Sequence, residues 1–285
     1  MKKILITGAS GQLGRSCLKQ IDNKYDVLGI GRTNTGLIPY KVGDLTEKLF
    51  IENILKTYVP DIVIHLSAMT DVDKCEENPE LAHKINVLPV KHLLTFFSNY
   101  FVYVSTDYVF DGENGPYAES AITNPLNVYG KTKLDAELLI QSKLKSSLII
   151  RTNVLFDYSK NTQASFVNWI VESLKKRKSI SVVDDQYNNP IWTDHLSKLM
   201  MKLIKTEKTG IFHTGSKEYI NRYEFAKLIA KYFNLDSSLI SAISTYELNQ
   251  IALRPLKGGL TTNKITKELE ILPTSLTDAL TKISV

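Results

Sequence analysis

The sequence contains few cysteines and no long apolar segment. Its two cysteines, Cys17 and Cys75, cannot build a disulfide framework, and neither has metal-ligand spacing to the other or to the five histidines. No apolar run approaches the roughly 18 residues that are needed to span a bilayer. The short apolar run that follows Met1 and two lysines is typical of a strand rather than of a secretory signal. We therefore expect a cytoplasmic protein that has no membrane segment.

The sequence also has only a small excess of positive over negative charge. The 285 residues carry a net charge of +5, and the contents of hydrophobic residues (43%) and charged residues (23%) are close to the average for globular proteins. The one basic run, "LKKRKSI" at 174–180, ends an apolar-periodic stretch, where cations stabilise the C-terminus of a helix. We expect no nucleic-acid partner, although a mildly positive field would suit an anionic small molecule.

Short apolar runs alternate with helical patterns over the first half of the chain. Such alternation predicts βαβ units and a parallel sheet. Further along, "SFVNWIVESLKKRK" and "NRYEFAKLIAKYF" are typical of helices, and "SISVVDD" is typical of one more strand. The predicted strands of the first half are "KILIT" (3–7), "YDVLGI" (25–30), "DIVIHLS" (61–67), "FVYVST" (101–106) and "SLIIRT" (147–152).

The predicted fold class is α/β, a Rossmann-type doubly wound parallel sheet with a smaller C-terminal substrate lobe. We assign residues 1–152 to a dinucleotide-binding domain, which also receives a segment at about 180–205. Residues 153–285 are expected to form mainly the substrate-binding lobe.

The first chemical motif is "TGASGQLG", which follows the first predicted strand and opens the first predicted helix. Its glycines, Gly8, Gly11 and Gly14, allow a tight turn and let a pyrophosphate approach backbone N–H groups at a helix N-terminus. A glycine triplet alone is weak evidence, but a strand before it and a helix after it are the context that a dinucleotide site requires. The motif therefore predicts a dinucleotide cofactor.

The residues after the following strands indicate which cofactor is bound. The second strand ends in "GIGRTN", and Arg32 stands where NAD-selective sites offer a carboxylate to the ribose 2′-hydroxyl. A guanidinium suits the 2′-phosphate of NADP instead, although Arg32 could also be a surface residue of a loop. Asp44 and Leu45 in "VGDLTE", and "HLSAMT" at 65–70, lie where strands end at the same edge of the sheet.

Tyr129 and Lys133 lie four residues apart in "NVYGKTKLDAE" at 127–137. The same spacing recurs in "YEFAK" at Tyr223 and Lys227, so the spacing alone is not evidence of catalysis. The second pair is typical of an amphipathic helix face. The neighbours of each pair must therefore decide between a catalytic and a packing role.

The neighbours of Tyr129 favour catalysis. "FVYVSTDYVFDG" places Ser105, Thr106 and Asp107 at the C-terminal end of a strand, at the edge of the sheet where ligands bind. Lys133 shares one helix face with Tyr129, and a cation beside a phenol lowers its pKa of about 10. In carbonyl reduction, Tyr129 could donate the proton while the Thr106 hydroxyl holds the carbonyl oxygen.

These motifs resemble those of the extended short-chain dehydrogenase/reductases. "TGASGQLG", "STDYVF" and "YGKTK" carry the resemblance, and "PDIVIHLSAMTDVDKCEENPELAHKINV" together with "NPLNVYGKTKLDAE" is similar to the dTDP-4-dehydrorhamnose reductase family. The likeness runs nearly end to end and includes "VVDDQYNNP" (182–190) and "RPLKGGLTTNK" (254–264).

The resemblance implies reduction of the 4-keto group of a nucleotide-linked 6-deoxyhexose with NADPH or NADH. The substrate that it suggests is dTDP-4-dehydro-L-rhamnose, reduced to dTDP-L-rhamnose for cell-surface polysaccharide precursors. The implied catalytic residues are Thr106, Tyr129 and Lys133. The implied cofactor-binding residues are Gly8, Gly11, Gln12, Leu13, Gly14, Arg32, Asp44, Leu45, Leu66, Ser67, Ala68, Tyr129 and Lys133. The implied substrate-binding residues are Thr70, Val72, Thr106, Asp107, Tyr108 and Arg254.

The sequence departs from the family pattern at several positions. Val154 stands where the family has a tryptophan against the sugar, and Gly259 stands where a second arginine could be, so a different nucleotide 4-keto sugar stays open as the substrate. Dehydratases on this scaffold have a glutamate at the position of Tyr108, so reduction is favoured over elimination. Epimerising reductases lose support because no cysteine follows the Ser/Thr pair.

A non-catalytic regulator is the alternative of another class. The methionine adenosyltransferase β subunit resembles this chain about as well and has a comparable glycine loop and "YGKTK", so Tyr129 and Lys133 alone do not establish an enzyme. Some rhamnose reductases bridge a dimer with magnesium through a glutamate on the first helix. Ser16 stands there in this chain, and we expect no metal. A monomer or homodimer that binds a small-molecule nucleotide sugar is expected.

Overall fold

The structure is a computed structural model that describes residues 1–34, 36–159 and 165–284. The strands are β1 (Lys2–Thr7), β2 (Tyr25–Gly31), β3 (Tyr40–Val42), β4 (Ile62–His65), β5 (Tyr100–Thr106), β6 (Ser147–Thr152), β7 (Leu155–Phe156), β8 (Ile180–Val183), β9 (Tyr187–Asn188), β10 (Ile191–Trp192), β11 (Gly210–His213), β12 (Ile220–Asn221) and β13 (Ile240–Ile243). The helices are α1 (Gln12–Gln20), α2 (Lys48–Tyr58), α3 (Val72–Glu77), α4 (Pro79–Asn86), α5 (Leu88–Phe96), α6 (Val128–Lys143), α7 (Phe166–Lys175), α8 (Thr193–Lys205), α9 (Arg222–Tyr232), α10 (Thr245–Leu248), α11 (Asn263–Leu269) and α12 (Leu276–Ile283). Among these helices, none is long and apolar enough to cross a membrane.

The first six strands and β11 form one parallel sheet in the order β11-β6-β5-β4-β1-β2-β3. Helices cover both faces of this sheet, which is why its strands are nearly continuous apolar runs. The order reverses at β1, with β2 on one side and β4 on the other. A crevice therefore opens beyond the carboxyl ends of β1 and β4. This topology confirms the predicted Rossmann-type doubly wound sheet.

Two apolar cores hold the helices on the sheet. On one face, α1, α8 and α11 bury residues such as Cys17, Met200 and Leu269 against the strands. On the other face, α2, α5 and α6 bury residues such as Ile51 and Leu93. Each helix places its apolar stripe on the sheet, as the helical spacing of its apolar residues requires.

One strand of the sheet, β11, was not predicted from the sequence, and β3 was anticipated only as a short strand that ends near Asp44 and Leu45. β3 has only three residues, of which Tyr40 is half-buried and the other two are exposed, so it has no apolar run that marks its extent. β11 follows α8 and pairs in parallel with β6 at the far edge of the sheet. Its tertiary pairing extends the sheet with a segment from the second half of the chain.

The second lobe has its own core. The predicted strand near 180 is β8, which pairs in parallel with β13. The predicted helices are α7 and α9, and they pack with α12 over this pair. The rings of Phe156 and Phe225 meet edge to face at 5.2 Å within this core.

Segments from the second half of the chain pack in both lobes. We expected the segment at about 180–205 to join the sheet domain; α8 does pack on α1, but β8 lies in the second lobe beside β13. β8 differs because its apolar residues face α7 and α9 rather than the central sheet. The division into a cofactor domain and a substrate lobe stays a prediction.

Candidate active site

The loop between β1 and α1 has a backbone conformation that only small residues fit. Gly8 has a φ of +68°, and a Cβ there would lie 2.9 Å from the Ser67 nitrogen. A Cβ at Gly14 would lie 2.4 Å from the Gly8 carbonyl oxygen, so α1 approaches the loop closely. Gly11 is the N-cap of α1 and donates a hydrogen bond of 3.0 Å to the Gly8 carbonyl. The loop therefore presents the N-terminus of α1 to an anion lying beside it.

Two cavities meet at this glycine loop. They share Gly8, Ser10, Gly11, Leu66 and Ala68. The β2 cavity, of about 460 Å³, is lined in addition by Gly31, Arg32, Thr33, Tyr40, Asp44, Leu45, Thr46, Ser67, Leu81, Lys84, Ile85 and Pro89. The α6 cavity, of about 580 Å³, is lined in addition by Gln12, Leu13, Gly14, Thr70, Val104, Ser105, Thr106, Tyr129, Lys133, Thr152, Asn153 and Leu155. A dinucleotide fits this arrangement, with its pyrophosphate at the loop and one end in each cavity.

Two cations line the β2 cavity. Arg32 follows β2, and Lys84 projects from α4. The Thr46 backbone donates a hydrogen bond of 2.8 Å to Asp44, and this bond is the main cause that lowers the pKa of the Asp44 carboxyl. The charges of Lys84 and Arg32 lower the same pKa further. The β2 cavity can therefore hold a ribose phosphate between two basic side chains.

The N-terminus of α6 is fixed by groups on both sides of it. The Asn127 side chain accepts a hydrogen bond of 2.9 Å from the Gly130 backbone and caps the helix. Glu76 accepts a further hydrogen bond of 2.9 Å from the Val128 backbone. Both bonds satisfy donors that a helix N-terminus otherwise leaves free. Tyr129, in the first turn, is thereby held in one position.

The turn after β5 rests directly on this helix. A Cβ at Gly130 would lie 2.2 Å from the Tyr108 carbonyl oxygen, so the glycine that follows Tyr129 allows the two elements to touch. The rings of Tyr108 and Tyr129 meet edge to face at 5.9 Å. The Thr106 hydroxyl accepts a hydrogen bond of 3.1 Å from the Tyr108 backbone. Thr106 and Tyr129, far apart in sequence, are thus brought to the same cavity.

Tyr129 is a weaker acid than the sequence suggested. Desolvation is the largest influence and raises the pKa of its phenol well above the ordinary value. A hydrogen bond with Thr106 lowers this pKa in part, whereas the charge of Asp107 raises it. The expectation that Lys133 would make the phenol more acidic is wrong for this structure. A phenol with a raised pKa stays protonated at neutral pH and is therefore available as a proton donor.

Lys133 is buried one turn after Tyr129. Its ammonium donates a hydrogen bond of 2.7 Å to the Val104 carbonyl and lies 4.1 Å from the centre of the Tyr103 ring. Burial lowers the pKa of Lys133 to about 7, against the raising effect of Glu137. The lysine can therefore exist in both charge states near neutral pH.

Comparisons with known proteins give the family of this chain. A family model described as the RmlD substrate binding domain matches residues 1–284. The chain belongs to this family. Its predicted resemblance to the dTDP-4-dehydrorhamnose reductases is confirmed.

Relatives and a solved structure of this family match nearly the whole chain. The chain is 32% identical to a dTDP-4-dehydrorhamnose reductase of Aggregatibacter actinomycetemcomitans, over 99% of this chain and 98% of that protein. It is 30% identical to the methionine adenosyltransferase 2 subunit beta of Danio rerio, over 93% and 84%. A crystal structure of dTDP-4-dehydrorhamnose reductase from Bacillus anthracis in complex with NADP has a TM-score of 0.90 at 29% identity, and 99% of each chain is covered.

The residues predicted to bind the cofactor come together in this RmlD-family structure. Each of them lines the β2 cavity, the α6 cavity or both. The predicted catalytic residues Thr106, Tyr129 and Lys133 line the α6 cavity. Their roles stay predictions, and the geometry is the basis of the proposal below.

The residues predicted to bind substrate do not all line one cavity. Thr70 lines the α6 cavity together with Thr106, whereas Val72 begins α3. Asp107 and Tyr108 form the turn after β5. Burial raises the pKa of the Asp107 carboxyl to about 6, although a hydrogen bond of 3.2 Å from the Gly259 backbone opposes this shift.

Arg254 is already paired within the protein. Its guanidinium forms an ion pair of 3.0 Å with Asp73 and donates a hydrogen bond of 2.7 Å to the Ala252 carbonyl. Only 8% of its side chain is exposed. Arg254 is therefore held in place before any substrate arrives, and its predicted contact with substrate stays a prediction.

The sequence did not identify several residues that line the cavities. Thr152 ends β6 and Asn153 follows it, at the same edge of the sheet as Thr106, so the rule that ligands lie beyond strand carboxyl ends could have found them. Lys84 lies on a helix among other charged residues, and no local pattern distinguishes it.

Proposed function

We propose that this chain reduces a keto group of a nucleotide-linked sugar with NADPH. The chain is an NAD(P)H-dependent oxidoreductase, since reductases of the family match it over nearly its whole length. The finer proposal is reduction of the 4-keto group of a 6-deoxyhexose, from dTDP-4-dehydro-L-rhamnose to dTDP-L-rhamnose. Arg32 and Lys84 in the β2 cavity support NADPH over NADH.

One observation carries the proposal. Thr106, Tyr129 and Lys133 converge on the cavity that the glycine loop also lines. A reduced nicotinamide bound there supplies a hydride to the carbonyl carbon. The Thr106 hydroxyl and the Tyr129 phenol lie together where they can hold the carbonyl oxygen, and Tyr129 gives it a proton. The raised pKa of Tyr129 keeps that proton on the phenol until the oxygen becomes a stronger base.

The substrate would enter from the side of the second lobe. Asp107 and Tyr108 lie between Tyr129 and the 254–260 segment, where Gly259 bonds to Asp107. A carboxyl group and a phenol can bond to sugar hydroxyls, and Arg254 can attract the diphosphate. These contacts are the part of the proposal that would set the choice of sugar.

The test is oxidation of NADPH in the presence of enzymatically generated dTDP-4-dehydro-L-rhamnose. Tyr129→Phe should lower kcat by about 10²- to 10⁴-fold, the usual contribution of a general acid. Its affinity for NADPH should stay unchanged, because the ring and its packing remain. The matched control is Tyr223→Phe, which changes the other tyrosine that has a lysine four residues later. The control should keep full turnover, whereas comparable turnover in Tyr129→Phe would reject Tyr129 as the proton donor.

A second candidate function is that of a non-catalytic, NADP-binding subunit. It is favoured by the 30% identity to the methionine adenosyltransferase 2 subunit beta. This function predicts that the native chain binds NADPH but turns over none of the nucleotide 4-keto sugars offered. It also predicts a stable complex with methionine adenosyltransferase on size-exclusion chromatography. Turnover that Tyr129→Phe abolishes would reject it.

A further inference from the structure

Three buried polar atoms lie at the carboxyl ends of β5 and β6. They are Ser105 Oγ, Thr152 Oγ1 and Asn153 Oδ1, and within the described ranges each lacks a hydrogen-bond partner. The three residues are 3%, 5% and 8% exposed, respectively. All three residues line the α6 cavity. Buried polar groups are normally paired, so a cluster of unpaired ones in a cavity indicates a ligand that pairs with them.

The orientation of the Asn153 amide is fixed by its neighbours. The Leu260 backbone donates a hydrogen bond of 2.9 Å to Asn189 Oδ1, which identifies that atom as the oxygen. Asn153 Nδ2 donates a bond of 2.6 Å to the same oxygen. Because an amide oxygen only accepts, Asn153 must turn its nitrogen towards Asn189. Its own oxygen is therefore left as an acceptor without a donor, in a residue that lines the α6 cavity.

The Thr152 hydroxyl complements this acceptor. It follows Arg151 in β6 and lies beside Thr106 in the register of the two strands. A hydroxyl can donate one hydrogen bond, so Thr152 and Asn153 together offer one donor and one acceptor. A primary carboxamide presents the matching pair, an oxygen that accepts and an NH₂ that donates.

We propose that Asn153 and Thr152 bind the carboxamide of the nicotinamide ring, with Asn153 Oδ1 accepting from its NH₂ and the Thr152 hydroxyl donating to its oxygen. The inference rests on the proposed use of NADPH. The glycine loop and other residues predicted to bind only the cofactor line the α6 cavity, which favours the cofactor as the ligand of this pair. Of the residues predicted to bind substrate, Thr70 and Thr106 line it, whereas Asp107, Tyr108 and Arg254 are not among its described lining residues. The two contacts fix the rotation of the ring and so determine which face meets Thr106 and Tyr129.

The first experiment changes the ligand and leaves the protein intact. Dissociation constants are measured by calorimetry for NADP⁺ and for its 3-acetylpyridine analogue, which has a methyl group in place of the NH₂. The native chain should bind the analogue about tenfold more weakly, because Asn153 Oδ1 would lose its donor. Equal binding of the two ligands would overturn the inference and would leave NADPH use standing.

The second experiment removes each protein group. Asn153→Leu should weaken NADP⁺ binding about tenfold and should bind NADP⁺ and the analogue equally. Thr152→Val, which keeps the shape of the side chain, should weaken both ligands by a similar factor. If Asn153→Leu still preferred NADP⁺ over the analogue, the assignment of Asn153 would be overturned. Unchanged affinity in Thr152→Val would overturn the assignment of Thr152 in the same way.

Two controls separate a local contact from general damage. Adenosine 2′-phosphate 5′-diphosphoribose lacks the nicotinamide, so the native chain and both variants should bind it equally. Asn188→Leu removes another buried amide whose oxygen is unpaired, on β9 and outside the described lining of the α6 cavity. It should bind NADP⁺ as the native chain does. If the native chain bound none of these nucleotides, both the inference and the proposed cofactor would fail together.

Discussion

Glu137 and Arg151 form a buried ion pair that joins α6 to β6. The guanidinium donates hydrogen bonds of 3.0 and 3.1 Å from Nε and of 2.6 Å from Nη2 to the carboxylate. Glu137 lies one turn after Lys133, and Arg151 directly precedes Thr152. The pair therefore sets the position of α6, with its tyrosine and lysine, relative to the strand end on the opposite side of the cavity.

Loss of this pair should destabilise the fold. Glu137→Gln would leave the Arg151 charge buried without a carboxylate, since the two side chains are 1% and 4% exposed. We expect the free energy of unfolding to fall by about 3–5 kcal/mol, measured by urea denaturation. Glu52→Gln is the control, because its pair with Lys56 lies on the surface of α2 and should contribute at most about 0.5 kcal/mol. Similar losses in both variants would contradict a special role for the buried pair.

Arg32 should determine the choice between the two nicotinamide cofactors. Arg32→Ala removes a charged donor from the β2 cavity, and the affinity for NADPH should fall by about 10- to 100-fold. NADH lacks the 2′-phosphate and should be affected little, so it serves as the internal control. Fluorescence titration of both reduced cofactors measures the ratio. Equal weakening of both would mean that Arg32 does not contact the 2′-phosphate.

Asp73 should act on the substrate through Arg254. Its carboxylate pairs with the guanidinium and accepts a hydrogen bond of 3.0 Å from the Ala252 backbone, so it holds the 252–254 segment. Asp73→Ala should raise KM for the nucleotide sugar roughly tenfold while kcat changes little, because positioning is lost and the proton donor is intact. Glu77→Ala, at the exposed end of the same helix, is the control. A fall in kcat at constant KM would contradict this role for Arg254.

Asp107 should make stability depend on pH in the acidic range. Burial raises the pKa of its carboxyl from 3.8 to about 6 in the folded protein. Between these values the folded state binds a proton that the unfolded state does not, so this group makes the free energy of unfolding rise as the pH falls from about 6 to about 4. Asp107→Asn should lack this contribution. Urea denaturation of both chains at pH 7 and pH 5 measures the difference, and an identical pH dependence would show that Asp107 is not buried as an acid.

Much of the fold could be predicted because its signals are local. The five apolar runs of the first half of the chain became strands of the sheet, and the glycine loop stands between β1 and α1 as its spacing requires. β3 has only three residues, so the sequence indicated where it ends, near Asp44, but not its extent. β11 was not predicted, because it is defined by its pairing with β6. The local sequence of a strand that depends on a distant partner has only a weak strand pattern.

The sequence by itself determined most of the sheet and the dinucleotide loop, since these follow from apolar runs and from the glycine spacing at an element boundary. It also predicted the Thr106, Tyr129 and Lys133 set, from the neighbours of Tyr129 and from the family resemblance, and the three residues line one cavity. Only the tertiary structure determined the pKa values of the site residues. The pKa of Tyr129 rises because the surrounding protein removes water from the phenol, which no spacing of residues can show. The free oxygen of Asn153 likewise depends on Asn189, which is oriented by the Leu260 backbone. Such properties arise from groups that are distant in sequence and meet only in the folded chain.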